Sequence, residues 1–560
     1  MNPVSATTPC FPKPCEASSV ERRSANWVPS IWDPNFLKTL KNNYTGEVYV
    51  RRSEVLSDKI RQLMVPFHEE NGTLSLLELV DDIVRLGLGY IFEQEIQRLL
   101  ICVKENTLKQ EQSLHATALY FRLCRQHGFN VSQDVFSVFR DPQGSFIEHQ
   151  NQDIKGILRL YEASYVGVDQ EDLVDEARPY ARMYLANAIK ESIVDPNISE
   201  LVIHALDHPL HHTMTRLEAR WYIDAYSRRQ DVNSCILELA KLNYNIVQAT
   251  YQEEIIDLSR WWGNLGLPKK MDFVRDRLVE SFLWAVGTAD EPQYKYCRQG
   301  ITKLVSLVTI IDDMYDIHAT VDEAELFTNA VERWDINALE QLPDYMKLPF
   351  LALYNTVNEF VYDARKKHGF NILPYLHRQW VSQLRSYLLE LKWFKSGYKP
   401  ALREYLNNAC ISAAMFMIHL HIYVFMVSEI RQEALDYIND YPDIIHWASM
   451  ILRLADDLGT SKDEIERGDV PKAIQCYMND EGLSEETARK YVRHLKDDAW
   501  KSLNAEMWVE SPLPIAFRKM ILNSARTTEV FYQYGDGHGI PNRETKERVL
   551  SLLVDSVPIY

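Results

Sequence analysis

Two apolar runs, each ending abruptly in a cluster of acids, dominate the pattern of this chain. Leu304-Val305-Ser306-Leu307-Val308-Thr309-Ile310-Ile311 leads straight into Asp312-Asp313-Met314-Tyr315-Asp316. Met450-Ile451-Leu452-Arg453-Leu454-Ala455 leads into Asp456-Asp457-Leu458-Gly459-Thr460 and, four residues on, Glu464. Elsewhere apolar residues recur at helical rather than alternating spacing, and glycine is sparse, 20 in 560 residues. That pattern predicts an all-α fold. One amphipathic helix places Leu239, Leu242, Ile246 and Ala249 on one face and stops near Gly263, Gly266 and Pro268. The polar stretch Ser227 to Asn233 before it reads as a linker. The uncharged run from Ala409 to Ser428 is about long enough to span a bilayer. It carries His419 and His421 mid-run and is rich in Met and aromatics, so it reads as a buried helix beside a hydrophobic cavity, and no membrane span is expected.

On a helix, positions four apart share a face. Asp312 and Asp316 therefore point the same way, and Asp456, Thr460 and Glu464 form a second oxygen stripe. Adjacent carboxylates at the lip of an apolar segment repel and are costly near a core. A hard divalent cation is the usual reason to place them there, and Mg²⁺ takes carboxylate oxygens while keeping other positions for water or phosphate. Either motif alone is compatible with a solvated acidic helix end. Two such stripes, each after an apolar helix, point to a multi-metal site facing across a helical core, with a diphosphate as its ligand.

A chain of 560 residues is enough for two large cores. Its net charge of −18 disfavours nucleic acid or an anionic membrane as the main partner. The 8 cysteines are scattered without zinc-like spacing and read as reduced thiols. Residues 1–20, with Pro3, Pro12 and Pro14, read as a disordered segment. Residues 21–230 are expected to form one helical domain and 231–560 a second that carries both metal motifs. The glycine-rich Tyr534-Gly535-Asp536-Gly537-His538-Gly539 lies between helical segments and reads as a surface turn or a lid.

Two further signatures stand in order with the acidic ones: Arg275-Asp276-Arg277 upstream of Asp312, and Arg22-Arg23 followed after eight residues by Trp32. With these four motifs the chain resembles the plant terpene synthases of the metal-ionising type (class I), from about Arg22 to the C-terminus. The resemblance is to the branch that includes monoterpene, isoprene and acyclic α-farnesene-type synthases. It implies two helical domains, an N-terminal α-barrel and a C-terminal bundle that holds the catalysis. The Asp-x-Asp-Asp motif of protonation-initiated cyclases is missing, since Leu79-Val80 precede Asp81-Asp82.

The resemblance also implies roles. Three Mg²⁺ ions, which Mn²⁺ can replace, would be held by Asp312 and Asp316 on one side and Asp456, Thr460 and Glu464 on the other. Asp313 would act behind them through a basic neighbour. Arg275, Arg277 and Arg453 would bind the diphosphate, and Trp284 with Phe531 or Tyr532 would stabilise carbocations. Ser412 to Ala414 would form a helix break lining the pocket. Asp536 and His538 would lie in the lid, where the last proton goes either to a lid group or to the released diphosphate. Arg22, Arg23 and Trp32 would order the N-terminal strand over the site mouth. A monomer is expected.

Isoprene-forming relatives narrow the pocket with two phenylalanines, and Val305 and Leu452 stand at the equivalent positions, which disfavours a C5 substrate. The 21 residues before Arg22 contain no arginine and two glutamates. That favours the cytosol over the plastid, and farnesyl diphosphate over geranyl diphosphate. The expectation is thus a cytosolic sesquiterpene synthase, acyclic farnesene formation included, with a plastidial monoterpene synthase of the ocimene or linalool type as the alternative. A chain-elongating prenyltransferase would carry two similar aspartate-rich motifs, unlike the Asp/Thr/Glu pattern here. A non-catalytic helical binding protein would have no use for the intact ligand set.

Overall fold

The computed structural model describes residues 22, 23, 25–64, 72–106, 113–142, 146, 153–191, 194–467 and 471–559. The segment expected to be disordered, 1–20, lies outside the described residues. Among the described residues the regular elements are helices, and the one β feature is an isolated bridge between Arg140 and Phe146. The all-α expectation holds.

The N-terminal half includes α1 (Thr73–Arg85), α2 (Leu114–Gln126), α3 (Ile154–Ala163) and α4 (Thr215–Ser227). Their apolar faces share one core with the start of the next helix. Buried ion pairs lock these four helices together. Arg122 of α2 donates to Asp81 of α1 at 2.6 Å, and Arg85 of α1 reaches Glu218 of α4 at 2.7 Å and Glu162 of α3 at 3.4 Å. Charges so deep are tolerated only because each has a partner.

The helix α5 (Ser234–Leu265) begins where the Asn233 side chain accepts from the N–H groups of Cys235 and Ile236, and ends at left-handed Gly266. It joins the two halves. Its first turns, Ile236 to Tyr244, pack into the N-terminal core, while Val247, Tyr251, Ile255, Leu258 and Trp262 pack into the C-terminal one. The chain ends cross over. Trp32, Leu37 and Leu40 belong to the C-terminal core, and Val557 returns to the N-terminal one, exchanging two 2.8 Å hydrogen bonds with Asn245.

In the C-terminal half, α6 (Leu278–Thr288), α7 (Lys295–Asp313), α8 (Leu373–Ser396), α9 (Leu402–Ser412), α10 (Met415–Met426), α11 (Asp443–Arg467) and α12 (Ile515–Tyr532) build the site. Helix α7 packs on α6 and α10, α11 on α10 and α12, and α12 on α6, which closes a ring. The run Leu402–Met426 is apolar and long enough to cross a membrane, yet 78% of its most apolar 18-residue window is buried in the protein. It breaks into α9 and α10 at Ala414, whose φ of 64° is left-handed. Both His419 and His421 are fully buried, as expected for a core helix.

Candidate active site

The ring of helices encloses a cavity of about 1370 Å³, its open mouth included. Helix α7 turns Ile301, Val305, Val308 and Asp312 toward it, a stripe at helical spacing, and α11 presents Leu452, Arg453, Asp456 and Thr460. The interior is apolar and the lip is charged: Asp312, Asp316, Asp456, Arg275, Arg453 and Lys472 line the same cavity. The two acidic motifs, 140 residues apart in sequence, thus share one mouth. Val305 and Leu452 both contribute to its wall.

Each motif divides its aspartates in the same way. At the end of α7 the helix widens into a π-type turn over Met314–His318, which carries Asp316 to the lip. Asp312 stays partly exposed, whereas Asp313 turns inward and is 1% exposed. Arg275 grips both: its Nη2 donates to Asp312 Oδ2 at 2.8 Å, its Nε lies 2.9 Å from Asp313 Oδ1, and its backbone N–H donates to Asp313 Oδ2 at 2.6 Å. Burial pushes the Asp313 carboxyl up to about 6 against the pull of Arg275. On α11, Asp456 faces the cavity and Asp457 is fully buried. Asp457 accepts from Tyr405 at 2.9 and 3.0 Å and from the Ala473 N–H at 2.9 Å, and pairs with Arg453 Nε at 2.8 Å. Arg453 also contacts Asp456. Thr460 lines the cavity while its hydroxyl donates to the Asp456 carbonyl at 2.9 Å. Glu464 lies on α11, but its side chain is outside the described residues. Among the described residues, no three His, Cys, Asp or Glu side chains converge tightly enough to hold an ion unaided. The donors instead stand on two walls with room between them.

The remaining expected residues fall in three places. Trp284 lines the cavity and stacks on Phe531, with ring centroids 4.5 Å apart and planes at 6°; Tyr532 lines it as well. Phe531, 1% exposed, backs the tryptophan ring. Asp536 and His538 reach the cavity from the turn after α12, where Asp536 Oδ1 accepts from the N–H groups of His538 and Gly539 at 3.1 and 2.7 Å. A Cβ on Gly539 would sit 2.2 Å from Asp536 Oδ2, so a side chain there displaces the Asp536 carboxylate. Arg277 goes elsewhere. It is 2% exposed, does not line the cavity, and donates to the carbonyls of Val28 (2.7 Å) and Gly539 (2.8 Å). It ties the N-terminal strand to the turn.

That strand is anchored along its length. Arg22 donates to the His318 carbonyl at 2.7 Å and pairs with Glu323 at 2.8 Å; Arg23 donates to the Asp316 carbonyl at 3.2 Å. Trp32 Nε1 donates to Glu280 at 3.0 Å. Trp27 lies over the Arg275 guanidinium at 4.6 Å and lines the cavity. Sequence reasoning gave no role to Trp27, nor to Tyr387, Glu390, Lys472, Thr309 or Ser524, all of which line the cavity. Tyr387 and Glu390 stand three apart on α8, a spacing that any amphipathic helix shows. Burial raises both, with Asp312 adding to it for Tyr387 and Lys472 opposing it for Glu390.

A closed bundle of helices around an apolar cavity with two acidic walls at its mouth suits a ligand with an apolar body and an anionic head held through metal ions. The family follows from comparison. Residues 263–502 match the model for the terpene synthase family, metal binding domain, and residues 31–206 that for the terpene synthase N-terminal domain. The chain belongs to the plant terpene synthase family. It is 50% identical to a (−)-α-terpineol synthase of Vitis vinifera, over 97% of this chain and 92% of that one. It is 48% identical to a chloroplastic myrcene synthase of Quercus ilex, over 96% and 90%. Among solved structures, isoprene synthase from grey poplar, in complex with three Mg²⁺ ions and dimethylallyl-S-thiolodiphosphate, superposes with TM-score 0.87 at 44% identity, covering 94% of this chain and 99% of that one. A limonene synthase with 2-fluorolinalyl diphosphate gives TM-score 0.92 at 39% identity, over 96% and 100%.

These findings correct the cytosolic expectation. The Quercus relative is named chloroplastic, as are others from Coffea arabica, Litsea cubeba and Cinnamomum tenuipile. The cytosolic reading rested on the stretch before Arg22, and the length and charge of that stretch do not carry it.

Proposed function

We propose that the chain is a plastidial monoterpene synthase that ionises geranyl diphosphate and releases diphosphate. One observation carries the catalytic reading: the α7 and α11 aspartates open onto the same mouth of one apolar cavity. The relatives support the C10 substrate, being named mostly for ten-carbon products such as α-terpineol, myrcene, limonene and geraniol. The farnesyl reading has less support among them.

The donor set at the mouth is all oxygen, from Asp312, Asp316, Asp456 and Thr460, with Glu464 one turn further along α11. That chemistry fits Mg²⁺, which is held through one or two carboxylates plus substrate phosphate. Three ions, or Mn²⁺ in their place, would neutralise the charge that develops on the leaving diphosphate. Arg275, Arg453 and Lys472 supply the cationic side chains for its oxygens. Trp284, with Tyr532 across the cavity wall, faces the resulting carbocation, each ring contributing about 2 kcal/mol when desolvated. The N-terminal strand, pinned by Arg22, Arg23 and Arg277, excludes water from the mouth.

The last proton has an acceptor near the lip. Thr309 Oγ1 lies 2.9 Å from the Val305 carbonyl and 3.1 Å from His538 Nε2; in the arrangement where Thr309 donates to the carbonyl, Nε2 donates to Thr309. Nδ1 is then a lone pair, and it has no partner among the described residues. Burial, with Arg275 and Arg277 adding to it, keeps this imidazole neutral well below its ordinary range.

Separate incubations with geranyl and farnesyl diphosphate plus Mg²⁺, read by gas chromatography–mass spectrometry, test the proposal. C10 products at the higher kcat/KM are expected. A higher kcat/KM for C15 products overturns the substrate assignment.

A further inference from the structure

The deep end of the cavity holds a polar pair that ionisation does not use. Helix α10 lines the cavity with Met415, Ile418, His419 and Ile422, a stripe at helical spacing, and α12 with Ser524 and Tyr532. Ser524 lies eight residues before Tyr532, which places it about 12 Å further from the mouth at 1.5 Å per residue. His419 is 0% and Ser524 3% exposed, and their neighbours in the wall, Thr288, Ile301 and Ile422, carry no charge. Burying two polar groups there costs stability unless they serve each other or a ligand.

Their hydrogen bonds can be assigned. The Met415 carbonyl, 2.8 Å from His419 Nδ1, can only accept, so Nδ1 carries the proton. Burial holds the ring neutral, down to about 4. Nε2 is then a lone pair and lies 3.0 Å from Ser524 Oγ, so the Ser524 hydroxyl is the group that can donate to it. The Ile521 carbonyl, 2.7 Å from Oγ, competes for the same hydrogen. When Ser524 donates to His419, Oγ keeps two lone pairs, and no described residue donates to either. Ser524 Oγ therefore has acceptor capacity to spare on the cavity side. A water molecule there would donate to Ser524 Oγ, with the Thr288 hydroxyl the other uncharged polar group in this part of the wall.

Resting on the terpene synthase reading above, we propose that Ser524 and His419 hold a water molecule at the cavity floor, which captures the carbocation and makes part of the product a terpene alcohol. A lone pair of the water forms the new C–O bond to the cationic carbon. The resulting oxonium loses a proton to Ser524 Oγ as Ser524 passes its own proton to His419 Nε2. The positive charge moves from carbon to imidazolium, and no oxidant or reductant is involved. Buried imidazole is a poor base against water but ample against an oxonium ion. Ser524 touches the reacting water; His419 acts through Ser524 and positions its hydroxyl. Proton loss to His538 at the lip gives hydrocarbon instead, so the two acceptors divide the products.

The test is product analysis in H₂¹⁸O with geranyl and with farnesyl diphosphate. Wild type is expected to give alcohol carrying ¹⁸O alongside hydrocarbon. Ser524→Thr and Ser524→Val have nearly the same volume and differ in the hydroxyl. The threonine variant is expected to keep the alcohol share within about twofold, and the valine variant to lower it at least fivefold. His419→Leu should match Ser524→Val in the alcohol share, a readout that a merely structural role would not move. Wild-type products without ¹⁸O-alcohol, or equal shares from the threonine and valine variants, overturn the proposal. Turnover of farnesyl diphosphate alone contradicts the C10 reading, while the ¹⁸O content of the C15 products still decides this one.

Discussion

Asp312 and Asp457 belong to the two matching acidic motifs but lie at different depths and do opposite work. Asp312 is 31% exposed at the cavity lip, so its loss should cost catalysis more than stability. Asp312→Asn is expected to lower kcat/KM about 10²–10³-fold, the range for losing an electrostatic contact to developing charge. Steady-state kinetics beside a urea titration check this. Asp457 is fully buried between Arg453, Tyr405 and the Ala473 N–H. Asp457→Asn removes one of the two carboxylates paired with Arg453 and leaves Asp456, so equilibrium unfolding should show a loss of about 1–3 kcal/mol. The sequence made the outward residues legible, because a four-residue spacing after an apolar helix fixes a shared face. It also suggested that Asp313 acts through a basic neighbour, which is Arg275. It could not separate Arg275 from Arg277. Two residues apart in an irregular segment, they share no periodic face, and the structure sends one to the cavity and the other to the carbonyls of Val28 and Gly539.

At the scale of elements, two backbone features shape the cavity. The α9–α10 break puts Ala414 at φ 64°, a conformation that L-residues other than glycine adopt at a cost. Ala414→Gly should therefore stabilise the fold by about 0.5–1 kcal/mol, seen as a higher urea midpoint at unchanged m-value. Nothing in Ser412-Ala413-Ala414 signals a left-handed residue to a reader of sequence. The position of the break followed from resemblance, and the apolar run alone read as one helix. The turn after α12 was legible through its glycines, and its geometry depends on one of them. Gly539→Ala drives a methyl into the Asp536 carboxylate that caps the turn. Displacing Asp536 and His538 in this way should cost turnover about 10²-fold, as misplacement near an active site does. Single-turnover rates would show whether the loss lies in chemistry rather than in product release.

For the whole molecule, helical periodicity and length allow for two large cores, whereas the crossing of the chain ends and the sharing of α5 between the cores are not readable from them. Trp32 and Val557 each pack into the core of the opposite half, contacts set by tertiary structure that no local pattern encodes. The buried histidines give the protein a pH signature. Burial first, and nearby arginine for His211, holds His127, His211, His419 and His421 to about 3–4, below the ordinary 6.5. Between those values the unfolded chain binds protons that these folded rings refuse, so these histidines lower stability as pH drops from 6.5 toward 4. The buried carboxyls of Asp82 and Asp313, pushed up to about 6, and of Glu291, to about 7, act in the opposite direction over the same range. The ring itself is therefore the readout: an NMR titration should find His419 and His421 still neutral at pH 5, and protonation there contradicts the neutral assignment.

The central claim is that the aspartates of α7 and α11 hold one set of metal ions and one diphosphate between them. The most direct measurement is a crystal structure grown with Mn²⁺ and geranyl thiolodiphosphate, with the metal located by anomalous scattering. The account expects Mn²⁺ peaks against Asp312 and Asp316 on one wall and against Asp456 and Thr460 on the other, with the diphosphate bridging them. Metal bound to one wall alone, or a diphosphate seated away from both, contradicts it.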